Sequence, residues 1–196
     1  MKLKVIVGST RPGRVTDRVA KWVVNEAKTL PGSEVELVDL ADFDLPFLDE
    51  PISPQYNPNR KPNQVAKRWL DKLAEADAYV LVTPEYNRSY SAVLKNAIDY
   101  LDFQFAKKPV ALVAHGSTGG AQAIGSLREV IPGLGGVTMP TATYLVGRAG
   151  DMIDEAGQLS AEIKANPYGP QAALKKMLED TQWFSDALSA ARSHPK

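Results

Sequence analysis

The feature that most constrains this chain is a hydrophobic period that switches back and forth along its length. Leu3 to Val7 is a short, β-branched apolar run ended by Gly8, as expected of a strand buried on both faces of a parallel sheet. From about Val15 to Leu30 the apolar positions Val19, Trp22, Val23, Ala27 and Leu30 recur at spacings of three and four, which predicts a helix closed by Pro31-Gly32. Val35, Leu37 and Leu40 then alternate with Glu36 and Asp39, a pattern of a strand nearer a sheet edge. The switching continues with a helix over about 63–75, a strand over 78–82, a helix over 90–103 and a strand over 110–114. A helix over 120–131 follows, then a weaker fifth strand somewhere in 137–146 and a last helix from about Pro170 to Ala191. Alternation of this kind predicts an α/β fold: a parallel sheet with right-handed crossovers and helices on both faces. Ligands in such sheets sit beyond the carboxyl ends of the strands.

Residues 44–62 break the rhythm. Pro46, Pro51, Pro54, Pro58 and Pro62 remove backbone donors and fix φ, so this segment is a loop. Its length favours a functional loop; a linker between two domains is the alternative, weakened because no second complete core follows. With 196 residues the chain is read as one domain, a core over 3–146 with a helical tail over 150–192.

Composition narrows the chemistry. The absence of cysteine excludes disulfides, thiolate metal sites and a cysteine nucleophile. With 23 basic and 23 acidic residues the formal charge is zero, which argues against bulk attraction to nucleic acid or an anionic membrane. No apolar stretch approaches the roughly eighteen residues of a membrane span, and the N-terminal run is too short for a signal peptide, so a cytoplasmic protein is expected. The two histidines, His115 and His194, exclude a histidine-rich metal site.

Three loops at strand ends carry the chemistry. After the first strand, Gly8-Ser9-Thr10-Arg11-Pro12-Gly13-Arg14-Val15-Thr16 combines hydroxyls and arginines with a helix start, whose free amides and dipole favour an anion. It lacks both the dinucleotide glycine fingerprint and the lysine of a nucleotide-binding P-loop, which favours a phosphomonoester. A capped helix with solvated arginines is the plainer alternative, and Asp39 could imitate a ribose ligand. After the third strand, Thr83-Pro84-Glu85-Tyr86-Asn87-Arg88-Ser89-Tyr90 offers planar surface and donors suited to a heterocycle edge, although a structural turn uses the same residues. After the fourth, His115-Gly116-Ser117-Thr118-Gly119-Gly120 lets backbone approach a ligand. It is no serine-hydrolase elbow, because position 115 is histidine, not glycine.

Together these segments resemble the NADPH-dependent FMN reductase family, the flavodoxin-like group that includes quinone and azo reductases. The resemblance is carried by Val5 to Gly13, Asp77 to Asn87, Val93 to Leu101 and Gly116 to Gly120, within about residues 3–146. It implies a three-layer, five-stranded parallel sheet of order 2-1-3-4-5. It also implies that Ser9, Arg11 and Thr16, with the amides of Arg14, Val15 and Thr16, hold the FMN phosphate. Pro84, Glu85, Tyr86 and Asn87 would line the isoalloxazine, and Ser117, Gly119 and Gly120 would bound its other side. Arg14, Thr16, Arg88 and the Ser91-Ala92 pair depart from the family's common residues. Arg88 could attract NADPH phosphates or be merely solvated.

The expected activity is FMN-dependent transfer of hydride from NADPH or NADH to a quinone-like, azo or free-flavin acceptor. No side-chain acid or base is required, because the flavin does the redox work. A flavodoxin-type electron carrier is the main alternative, against which the zero net charge counts; a flavin-free regulatory module is another. Lys95 and Asp99 read as a helix-surface pair. The resemblance implies a homodimer or homotetramer, with the 44–62 loop and the helix after Tyr90 as the surface a partner could cover.

Overall fold

The computed structural model describes residues 1–193; His194 lies outside the described residues. Strands β1 (Lys2–Val7), β2 (Glu34–Asp39), β3 (Ala78–Pro84) and β4 (Pro109–Gly116) form a parallel sheet in the order β2-β1-β3-β4, continued by β5 (Val137–Thr138) and β6 (Thr143–Val146). The register sets Val5 beside both Leu37 and Val80, and Val82 beside Val113. The expected order is therefore present, with one difference. The fifth strand comes in two pieces on the same edge: Pro109 of β4 pairs with Val137 of β5, and Val113 with Thr143 of β6. Pro140 lies in the gap, and its missing N–H breaks the ladder there.

Alternate residues of each strand serve opposite layers. Leu3, Val5, Val7, Val80, Val82 and Val113 pack under α1 (Thr16–Ala27) and the C-terminal helix, here α7 (Pro170–Ser193), which contribute Val19, Trp22 and Val23 and then Leu174 and Met177. Ile6, Tyr79, Leu81 and Leu112 face α2 (Gln64–Ala74), α3 (Ala92–Asp99) and α4 (Ala121–Gly133), through Trp69, Leu73, Leu94, Ile98, Ile124 and Leu127. Trp69 is fully buried, and its indole N–H donates to the Ala97 carbonyl at 2.9 Å. Burying side chains of this size from water stabilises by roughly 1.5–3 kcal/mol each. Two short helices unread in the sequence, α5 (Ala149–Met152) and α6 (Ala161–Ala165), join β6 to α7.

One charge sits inside the sheet. Lys4 is buried in mid-β1 and pairs with Glu36 and, at 2.7 Å, with Glu75. The hydrogen bond from Lys4 holds the Glu36 carboxyl below its ordinary range.

The 44–62 segment lies against α3 and is tied to it. Asn96 accepts from the Leu48 amide at 3.1 Å and donates to the Pro46 carbonyl at 2.7 Å, while the Tyr100 hydroxyl donates to the same carbonyl at 3.1 Å. Arg60 clamps Glu50 with two hydrogen bonds of 2.7 and 2.8 Å and also reaches Asp102. Phe47, Ile52 and Tyr56 nevertheless point outward from the segment.

A candidate cofactor cleft at the carboxyl edge of the sheet

Helices α2 and α3 begin with ordinary side-chain caps: Asn63 accepts from the Ala66 amide and Ser91 from the Leu94 amide. Helix α1 does not. Its cap position is Val15, which has no capping oxygen, and among the described residues the amides of Val15, Thr16 and Asp17 have no protein partner. These are the unpaired first-turn donors of a helix dipole's positive end.

The loop that delivers them is fixed from within. Ser9 is buried; its hydroxyl accepts weakly from the Arg11 amide at 3.4 Å, and its carbonyl accepts from the Arg14 guanidinium. Arg14 also pairs with Asp39 at the end of β2, and its amide donates to the Arg11 carbonyl at 3.1 Å. Arg14 thus has partners at both its amide and its guanidinium, and Asp39 at both carboxylate oxygens. Arg11 has no carboxylate partner among the described residues. Its guanidinium stands over the Tyr86 ring, 5.7 Å from the centroid. Thr16 is buried, and its hydroxyl lies 2.9 Å from His115 Nε2.

Past β3, Tyr86 and Ser89 exchange backbone hydrogen bonds of 2.8 and 3.0 Å around Asn87 and Arg88. Both central residues have positive φ, +49° and +67°, the geometry of a tight two-residue hairpin turn. Such a backbone is unusual for arginine and costs of order 1–2 kcal/mol. The turn holds Tyr86 at its base and Arg88 exposed at its tip.

Past β4, the chain enters α4 through Gly119 and Gly120, both at φ +80°. A Cβ on Gly120 would come within 2.4 Å of the Ala114 Cβ, and one on Gly119 within 2.8 Å of the Val146 side chain. The need for glycine here is met by the protein's own packing against β4 and β6. Helix α4 also lacks a cap of its own, but Glu85 supplies one: its carboxylate accepts from the Gln122 amide at 3.0 Å and the Thr118 hydroxyl at 3.1 Å. Glu85 therefore staples the β3 loop to the β4 loop.

These loops enclose a cleft of about 370 Å³, within the range of small-molecule sites. Its lining comes from four strand exits: Arg11, Arg14, Val15 and Thr16 after β1; Pro84, Glu85 and Tyr86 at the end of β3; His115 and Gly116 at the end of β4; and Gly147 to Asp151 after β6. Burial, with the nearby Arg11 charge adding to it, pushes the His115 imidazole down to about 4, so it is neutral at physiological pH. Among the described residues no cluster of His, Asp and Glu could hold a metal ion, and no helix is long and apolar enough to cross a membrane.

Unpaired amides, a guanidinium and a hydroxyl beside an aromatic ring suit the phosphate and ring of flavin mononucleotide, and the sequence agrees. Residues 1–151 match the family model described as NADPH-dependent FMN reductase. The chain belongs to that family. A Schizosaccharomyces pombe NAD(P)H-dependent FMN reductase is 32% identical over 184 residues, which cover 85% of this chain and 92% of the relative. A Staphylococcus haemolyticus FMN-dependent NADPH-azoreductase is 36% identical over 145 residues, 72% of this chain and 74% of the relative. Among solved structures, the flavoenzyme NAD(P)H:(acceptor) oxidoreductase of Paracoccus denitrificans superposes with a TM-score of 0.67 at 26% identity. That match covers 96% of this chain and 97% of the other.

For this FMN reductase family member, the sequence-derived site falls into two groups. Arg11, Arg14, Val15, Thr16, Pro84, Glu85 and Tyr86 meet in the cleft. Ser9 is buried, and neither it nor Asn87, Ser117, Gly119 and Gly120 lines the cleft. The sequence reading missed His115 as a site residue, and missed Gly147 to Asp151 altogether. The signal for the latter was present: they follow a strand, as every other cleft loop does.

Proposed function

We propose that this chain is an FMN-dependent oxidoreductase that takes hydride from NADPH or NADH and passes it to a small acceptor of the quinone, azo or free-flavin kind. The observation that carries the reading is the convergence on one cleft of the unpaired α1 amides, the Arg11 guanidinium, the Thr16 hydroxyl and the Tyr86 ring. The donor set fits FMN: a phosphate needs N–H groups and a guanidinium, and a ring needs a flat wall and few charges. Bound FMN would supply the hydride-accepting centre. The amides of Val15 to Asp17, with Arg11 and the Thr16 hydroxyl, would hold its phosphate. Pro84, Glu85, Tyr86 and Asn87 would line its ring, with Ser117, Gly119 and Gly120 on the other side and Ser9 supporting the loop. Arg14 serves by bracing that loop against Asp39.

The chain acts as one domain, because α7 packs Leu174, Met177 and Leu178 onto the same sheet that builds the cleft. A homodimer or homotetramer is supported by the outward Phe47, Ile52, Tyr56, Val93 and Phe103 around the 44–62 segment and α3. The protein works in the cytoplasm, on small molecules.

The test is anaerobic mixing of the FMN-loaded protein with NADPH, followed by flavin absorbance. Bleaching within seconds to minutes is expected. A loaded protein that stays yellow is the electron carrier of the alternative reading, and a chain that takes up no FMN is neither.

A further inference from the structure

The reductase reading leaves one buried contact unused. Thr16 opens α1 and His115 ends β4, 99 residues apart, yet Thr16 Oγ1 and His115 Nε2 lie 2.9 Å apart and both side chains are buried. This is the imidazole's sole side-chain hydrogen bond among the described residues. The histidine backbone is fixed on both flanks: it pairs with Pro84 of β3 and Leu145 of β6, and its carbonyl accepts from the Glu85 amide at 2.9 Å. A ring held by three strands is a rigid support for a hydroxyl.

We propose that His115 is a positioning residue for the phosphate end of the flavin: its Nε2–H donates to Thr16 Oγ1, which leaves the hydroxyl hydrogen to point at a phosphate oxygen seated on the α1 amides. This rests on the FMN reading above. Donor supply decides the direction of this bond. A neutral imidazole has a single N–H, and a hydroxyl has a single hydrogen. If Nε2 accepted that hydrogen, Thr16 would present only lone pairs to an anion. If Nε2 donates instead, every group at the end of the cradle presents hydrogen: the amides, Arg11 and Thr16. Burial holds the imidazole neutral, so the choice lies between two tautomers and not between charge states. An anion on the amides selects the Nε2–H form. His115 thereby acts on the cofactor through Thr16 without touching the redox centre.

The test compares FMN with riboflavin, which lacks the phosphate, by quenching of flavin fluorescence in the full chain freed of flavin. His115→Phe is expected to weaken FMN about tenfold, the scale of one hydrogen bond to a charged group, and to leave riboflavin unchanged. Thr16→Val is expected to weaken FMN at least as much, and the double variant no more than Thr16→Val alone. His115→Gln, whose amide can donate from a similar place, is expected to stay within about threefold of the parent. Independently of any variant, the nitrogen-15 spectrum of the FMN-bound parent should show His115 protonated at Nε2. Additive losses, an equal loss of riboflavin affinity, or protonation at Nδ1 would each overturn the proposal while leaving the FMN reading intact. A parent chain that binds no FMN would overturn both.

Discussion

Helices α1 and α4 start side by side at the carboxyl edge of the sheet, and neither supplies its own cap. They solve the same electrostatic problem in opposite ways. At α4 a carboxylate from the neighbouring loop, Glu85, meets the first-turn donors. At α1, among the described residues, no protein anion does so; a guanidinium, a buried hydroxyl and a neutral imidazole line the same cleft. Two helix dipoles of similar strength are thus assigned to different work. One meets a carboxylate of the protein and staples two loops together; at the other, on the function proposed above, an anion from outside takes that place. A glycine-rich loop running into a helix is therefore weak evidence by itself; which side chain reaches the amides decides its role.

The contrast can be probed in order of expected effect. The largest is acid stability. The His115 imidazole is pushed down to about 4 in the folded chain against an ordinary value of 6.5, so the unfolded chain binds its proton first. Stability is fully present above about pH 6.5 and falls as pH drops through the window to 4, by roughly 3 kcal/mol from this residue. Urea midpoints at pH 7 and pH 4 should show that loss in the parent and most of it removed in His115→Gln.

Next are two variants with opposite signatures. Arg11→Ala should weaken FMN by about ten- to a hundredfold, as loss of charge-assisted hydrogen bonds does, with thermal stability nearly unchanged because the side chain is exposed. Calorimetric titration with FMN and a thermal melt check both halves. Glu85→Ala should do the reverse. Removal of the α4 cap costs about 1 kcal/mol, or some 2–4 °C in Tm for a chain of this size, while the ratio of FMN to riboflavin affinity, which reads the phosphate alone, changes less than threefold. If Glu85→Ala lowered that ratio more than Arg11→Ala, the roles of the two helix starts would have to be exchanged. Smallest is Lys95→Ala, which breaks the exposed pair with Asp99 at 2.6 Å; it should cost under about 0.5 kcal/mol by denaturant melt and leave flavin binding alone.

The sequence made β1 to β4 legible to within about two residues at each end, because buried parallel strands are short uniform runs between helical periods. It blurred β5 and β6, since Pro140 interrupts an edge strand whose two pieces are too short to show a period. The three cleft loops were legible as strand exits. What could not be read were pairings across sequence: Arg14 with Asp39, Glu85 with the α4 amides, and Thr16 with His115. The contact of His115 left no trace in the sequence, because its partner stands 99 positions away and is a hydroxyl with no motif around it. Gly119 and Gly120 looked like ligand-facing glycines, and the structure gives them a packing reason that no one-dimensional pattern contains.

The most direct measurement is a crystal structure of the chain with FMN bound. The account predicts phosphate oxygens within hydrogen-bonding distance of the Val15, Thr16 and Asp17 amides, with Arg11 turned onto them and Glu85 still on Gln122. Phosphate density at the start of α4, with Glu85 displaced, would contradict it.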